Sequence, residues 1–247
     1  TSVHYDTYRG VGIIFNYTGR NVLADASRLL ITADIAEQPK ARINYQKNFG
    51  GHREWWWATE AYGAFLRQEI YINGKASDNI LYNTFELNNE VNRNLNSLKS
   101  YFGFGLNYHY TYFKPKYDRE YNPNAVSLNN YSSNNIEFNM HYSYNDMDKV
   151  FFATNGTIIK SNITRSLLSN VNASISAPDV LRLSGSTNNY TKFGLSFEKR
   201  LPLKKKITGI VGFDACFIFQ DQLKNNQISF FDFGYATRYF LGGIIPS

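Results

Sequence analysis

The sequence predicts an all-β chain, an antiparallel up-and-down transmembrane β-barrel whose wall meets lipid on its outer side. Three observations lead there. Apolar and polar residues alternate over segments close to the ~9–11 residues a strand needs to cross a bilayer. Aromatic residues make up 17% of the 247 residues, with 19 Tyr and 19 Phe, and they gather toward segment ends. No run of about 18 apolar residues offers a membrane helix. The mean hydropathy of -0.41 fits such a wall, because only every second residue faces lipid. The length suits a single domain, 1–247.

In chain order, Val11, Ile13, Phe15 and Tyr17 oppose Gly12, Asn16 and Thr18. Leu29, Ile31, Ala33 and Ile35 oppose Thr32 and Asp34, and Ala41, Ile43 and Tyr45 oppose Arg42, Asn44 and Gln46. Over 81–95, Phe85, Leu87 and Val91 back onto Thr84, Glu86, Asn88, Glu90, Asn92 and Asn94. The cleanest stretch, 101–112, sets Phe102, Phe104, Leu106, Tyr108, Tyr110 and Tyr112 against Gly103, Gly105, Asn107, His109 and Thr111. Ile136, Phe138, Met140, Tyr142 and Tyr144 oppose Glu137, Asn139, His141, Ser143 and Asn145. Phe193, Leu195 and Phe197 back onto Lys192, Ser196 and Glu198; Val211, Phe213, Ala215, Phe217 and Phe219 back onto Gly212, Asp214, Cys216 and Gln220. A helix would scatter these sets around its axis. Of roughly ten predicted strands, 158–176 is the least regular, because Lys160 and Arg165 interrupt it.

Strand length separates this barrel from a soluble sandwich, whose strands run to about 5–6 residues. Trp55, Trp56, Trp57, Tyr71, Tyr110, Tyr112 and Tyr144 sit at segment ends, as in an interfacial girdle. Short links fall at 23–27, 49–54, 95–99 and 203–206, while 114–133 reads as a long polar loop. Strict up-and-down parity puts the four short links at one end, the periplasmic one in such barrels, and the long loop at the other.

Little catalytic chemistry is written in the chain. The net charge of +6 is scattered, with Lys204, Lys205 and Lys206 the one run, so nucleic acid is not an expected partner. Cys216 is the single cysteine, and no Cys/His set has zinc spacing. His109 and His141 lie on polar faces of neighbouring strands; a paired proton or metal site is conceivable, but lumen-facing wall histidines are the expected outcome. Glu86, Glu90, Glu137 and Glu198 with Arg42, Arg67, Arg200 and Arg238 would line a charged lumen, most simply as a cross-strand network. Gly103, Gly105, Gly194, Gly209, Gly212 and Gly234 fall inside strands, where they allow curvature or close approach rather than cradling phosphate. The Asn-x-Thr triplets at Asn16, Asn155 and Asn189 carry no expected role. No Gly-x-Ser-x-Gly elbow is present. Catalytic, cofactor-binding and metal residues are therefore expected to number none in this segment.

Several stretches taken together resemble the barrel of the Omp85 superfamily, and more closely the barrel that follows a patatin-like phospholipase domain. They are His4-Tyr5-Asp6 with Gly10-Val11-Gly12-Ile13-Ile14-Phe15-Asn16-Tyr17-Thr18, and Arg20-Asn21-Val22-Leu23 with Ser27-Arg28-Leu29. Phe151-Phe152-Ala153-Thr154-Asn155-Gly156-Thr157 is similar to the superfamily's aromatic-Pro-Thr-x-Gly turn, with Ala153 in place of Pro. Phe197-Glu198-Lys199-Arg200-Leu201-Pro202-Leu203 and Phe240-Leu241-Gly242-Gly243 resemble later landmarks. The resemblance implies about 16 strands when complete, with the final ones beyond Ser247. It implies a bacterial outer-membrane location, and membrane lipids, lipopolysaccharide and the outer-membrane assembly machinery as partners. A homodimer or a larger outer-membrane complex is open. The leading expectation is an anchor for a patatin-like acyl hydrolase domain lying outside this sequence. The alternatives are an Omp85-type insertase or secretion pore, and a passive porin-like channel.

Overall fold

The computed structural model describes residues 1–6, 10–52, 54–72, 75–95, 98–117, 127–176, 180–204 and 207–227. The elements are β1 (Ser2–Asp6), β2 (Gly10–Arg20), β3 (Ser27–Ile35), β4 (Lys40–Phe49), β5 (Trp55–Ile72) and β6 (Lys75–Asn94). They continue with β7 (Ser100–Tyr117), β8 (Ser127–Asn145), β9 (Gly156–Ser176), β10 (Val180–Ser186), β11 (Tyr190–Lys204) and β12 (Ile207–Gln220). Among the described residues there is no helix.

All twelve strands belong to one antiparallel sheet. Each strand from β1 to β9 pairs with the next in sequence; β9 pairs with β10 and β11, and β11 with β12. The register that sets Ser186 opposite Asn170 runs on unbroken to Thr191 opposite Arg165. β10 and β11 therefore form one edge to β9, interrupted at 187–189. Among the described residues β1 and β12 each pair with one strand, so the sheet they form is open.

Polarity runs inside out. Val11, Phe15, Ile43, Phe65, Phe104, Leu106, Met140, Ile163, Phe213 and Phe217 are exposed on one face. Asp34, Thr84, Asn92, Ser133, Asn135, Glu137 and Lys192 are buried on the other. A soluble fold would bury the first set and solvate the second. Strand alternation thus places the residues as the sequence predicts.

The irregular 158–176 stretch belongs to β9, at 21 residues the longest strand. Ile136 pairs with Leu168 but Glu137 pairs with Ser166, which leaves Leu167 as an extra residue in a bulge. Thr164 and Ser166 are buried before the bulge, and Ser169, Val171 and Ala173 after it. Inward positions switch from even to odd numbers there, and Leu167 and Leu168 are both exposed.

Two further expectations need correction. The 114–133 loop is largely strand, because β7 reaches Tyr117 and β8 begins at Ser127; 118–126 lies outside the described residues. Strands β5 to β9, of 18–21 residues, continue well past the length a bilayer requires. Backbone pairing needs no apolar side chain, so the Asn- and Ser-rich text of early β8 extends the ladder. Trp56 does not join the outer aromatic band. It stands opposite Asn92 on the inner face, its ring 5.1 Å from that of Tyr101. Trp55 and Trp57 do face outward, against Phe49 at 6.3 Å and Tyr45 at 5.6 Å respectively. The side chain of Tyr71 lies outside the described residues.

Candidate functional site

The inner face of β6 to β11 carries the densest polar cluster in the described wall. Glu86, His109, Asn135 and Ser169 stand in one register row across β6, β7, β8 and β9. Asn88, Asn107, Glu137 and Ser166 form the next. Alternation fixes the inward face of each residue, and pairing register fixes which strands bring them together.

Glu137 is the centre. Lys192 Nζ lies 2.8 Å from Glu137 Oε1, and the Tyr190 hydroxyl donates to the same oxygen. His109 Nε2 lies 3.6 Å from Glu137 Oε2, and His109 Nδ1 lies 3.9 Å from Glu86 Oε1. The Lys192 ammonium also rests over the Tyr190 ring, 4.7 Å from its centroid. Glu137, Lys192 and Tyr190 are 4%, 3% and 0% exposed, so this charge pair is removed from solvent. Burial of a carboxylate is tolerable only when it is paired and hydrogen-bonded, and Glu137 satisfies both conditions.

The bridge spans a strand. Lys192 and Tyr190 lie on β11, Glu137 on β8, and β9 runs between them. Thr164 and Ser166 are the β9 residues beneath, short enough for longer side chains to pass over. Glycine serves the same purpose elsewhere. His141 Nε2 and Asn92 Oδ1 meet at 2.8 Å across β7 above Gly103, where a Cβ would fall 2.0 Å from Asn92 Oδ1. His4 Nε2 reaches Asp34 Oδ1 at 2.9 Å above Gly12 on β2, with Lys40 Nζ 3.8 Å from the other Asp34 oxygen. Side chains therefore clip strands that share no backbone hydrogen bonds.

The expected charged lumen is present in part. Glu86 and Glu137 share His109, and Glu90 accepts from Asn92 at 3.1 Å. Arg42 lies 3.9 Å from Glu60 and 5.2 Å from the Tyr62 ring centroid, and Arg200 pairs with Glu198 at 2.6 Å. Arg67 instead reaches Glu37, in an exposed pair at 3.5 Å. Arg238 and Gly234 lie outside the described residues. His109 and His141 both face inward but are not brought together, since the first stands opposite Asn135 and the second opposite Gly103. Among the described residues no group of three or more His, Cys, Asp or Glu is placed to hold a metal. Cys216 is free and exposed. Sequence analysis missed Lys192 and Tyr190 as partners of Glu137. Lys192 was visible as a polar-face residue, but its row was not.

The β8–β9 turn closes the cluster's strands at one end. Asp148 accepts from the Thr154 amide at 2.9 Å, the Thr154 hydroxyl at 2.8 Å and the Asn155 amide at 3.2 Å, and Asp146 accepts from the Thr157 amide. The Thr157 amide and then the Tyr144 hydroxyl hold the Asp146 carboxyl below its ordinary pKa; the Thr154 hydroxyl and then the Asn155 amide do so for Asp148. Arg200 Nη1 donates to Ala153 O at 3.1 Å. Gly156 adopts φ 137°, a conformation L residues rarely take.

No family model matches the chain, and no curated protein matches it. Among solved structures, the chain is similar to the crystal structure of BamA from Haemophilus ducreyi lacking POTRA domains 1-3. The match has a TM-score of 0.57 and 15% sequence identity, and it covers 93% of this chain and 42% of that one. The chain thus spans less than half the length of that BamA chain. The likeness is one of fold, an up-and-down antiparallel barrel wall.

Proposed function

We propose that this chain is most of the wall of an Omp85-type barrel in the bacterial outer membrane, part of a larger protein that inserts or exports polypeptide. The observation that carries this proposal is the likeness of nearly the whole sheet to a BamA barrel. It is joined by an outward apolar face and an inward polar one. In this mechanism the outer residues dissolve in acyl chains, while the Glu137 cluster braces β8, β9 and β11. In this mechanism an unpaired sheet edge would accept an incoming strand.

A second function uses the same wall to anchor a patatin-like phospholipase domain, and it draws on the sequence landmarks between His4 and Leu203. One experiment separates the two. The full protein, reconstituted in phospholipid vesicles, is offered an unfolded outer-membrane protein. Insertion well above that of protein-free vesicles is expected. No acceleration, together with release of fatty acid from the vesicles, would favour the anchor instead.

A further inference from the structure

The geometry points to a binding site for an acidic polypeptide segment on the inner wall at the short-turn end, built on Arg20 and Arg28; this rests on the polypeptide-handling function proposed above. Arg20 and Arg28 are register partners on β2 and β3, and Arg28 is the partner of Gln46 on β4. Two guanidinium groups thus face each other across neighbouring strands, an arrangement that repels unless an anion joins it. Arg42, Arg67, Arg165 and Arg200 each pair with a carboxylate. Among the described residues neither Arg20 nor Arg28 does so.

The surroundings are built for an anion. An open cavity of about 370 Å³ is lined by Arg20, Asn21, Ala26, Ser27, Arg28, Gln46 and Asn48, with no carboxylate. Two of its amide oxygens carry a hydrogen bond within the wall: Asn21 Oδ1 accepts from the Ser27 amide at 3.3 Å, and Asn48 Oδ1 accepts from Gln46 Nε2 at 3.2 Å. The Ser27 hydroxyl is turned away toward Ala24 O. The lining thus brings together two guanidinium-bearing residues and three side-chain amides, with no carboxylate. The turn beside it is held by Asn21 N to Ser27 O at 2.9 Å and Asn48 N to Ala26 O at 3.0 Å, which fixes the backbone that carries these residues.

Size and place select the ligand. The cavity is several times larger than a bare phosphate, and its two cationic residues stand on separate strands, so it has room for a ligand with more than one carboxylate. It lies beside the 21–26 turn, at the short-turn end, which is the periplasmic one in an outer-membrane wall and the end at which the function proposed above would meet a polypeptide.

The test uses the full protein in detergent and fluorescein-labelled oligoglutamate, followed by anisotropy, with oligoglutamine as control. Oligoglutamate is expected to bind saturably and to weaken with salt. Its affinity should fall about tenfold or more in the Arg20→Gln/Arg28→Gln double variant and less in Arg20→Lys/Arg28→Lys, which keeps charge without the forks. Heat-modifiable gel mobility verifies that each barrel is folded. If the glutamine pair does not fold, the lysine pair alone decides, by a loss or no loss of affinity. Unchanged affinity in the variants, or inorganic phosphate displacing the peptide at equal concentration, would overturn the inference. Insertion activity in vesicles without oligoglutamate binding sinks this site alone; binding without insertion sinks the proposed function alone.

Discussion

Replacing Lys192 with Met tests whether the Glu137 cluster is a dry brace. The side chains of Lys192 and Glu137 are 4% and 6% exposed, and their closest atoms are 2.8 Å apart. Met preserves much of the volume and removes the charge, which leaves a buried carboxylate held by the Tyr190 hydroxyl and by His109 at 3.6 Å. Breaking one side of a buried pair costs about 3–5 kcal/mol, and the remaining partners place the expected loss near the lower figure. Replacing both, as Glu137→Leu/Lys192→Met, should cost less than the two single losses added together, since the apolar pair needs no counter-charge and only the buried Tyr190 hydroxyl is left without its acceptor. The double-mutant cycle then gives a coupling of about 2 kcal/mol or more. Urea unfolding of the vesicle-reconstituted barrel, read by tryptophan fluorescence and gel mobility, measures each corner. A Lys192→Met loss below about 1 kcal/mol, the magnitude of a solvated surface pair, would refute the picture of a sealed brace.

Gly103→Val should cost about 1–3 kcal/mol in the same assay, because a Cβ at that position meets both Asn92 and His141 and breaks their bond. Lysine at Phe104 should destabilise the membrane-embedded barrel by about 2–4 kcal/mol, and lysine at the neighbouring inward Asn107 by much less; equal losses would count against a lipid-facing outer wall. The β8–β9 turn should loosen in acid. Asp146 and Asp148 titrate below the ordinary carboxyl value in the folded turn, so their contribution is present above that ordinary value, about 4, and is lost as pH falls through the lower folded values. Pepsin cleavage near Phe151 and Phe152 should therefore rise steeply only below about pH 4, and Asp148→Asn should already be cleaved faster above it.

The alternation of 101–112 and 136–145 makes the wall legible, since period two assigns each residue to a face without knowledge of its neighbours. It fails at β9 for a local reason: one extra residue, Leu167, reverses the parity that a reader must assume constant. Trp56 misleads because three consecutive tryptophans cannot share a face, and composition does not say which one turns inward. The candidate site is legible only by membership. Glu137, Glu86, His109 and Lys192 are all polar-face residues, but their meeting depends on registers between β6 and β11, which are set by turns and a bulge distant in sequence.

Side-chain bridges over small residues follow from a polar inner face. Polar groups on that face cannot gain stability from apolar burial, so their stability must come from paired charge and hydrogen bonds. Adjacent strands are already tied by backbone ladders; a side-chain bond between them adds little constraint. A bond that skips a strand resists change in the angle between strands, which the ladder leaves soft. This requires the middle residue to be short, and Gly12, Gly103, Thr164 and Ser166 occupy those middle positions. Between β6 and β11 two such bridges act, one from β6 to β8 and one from β8 to β11. Between β1 and β3 the bridge is His4 to Asp34, and the His4 side chain is 27% exposed against 4% for Lys192. The strand-skipping bridges are therefore drier and more numerous around Glu137 than between β1 and β3.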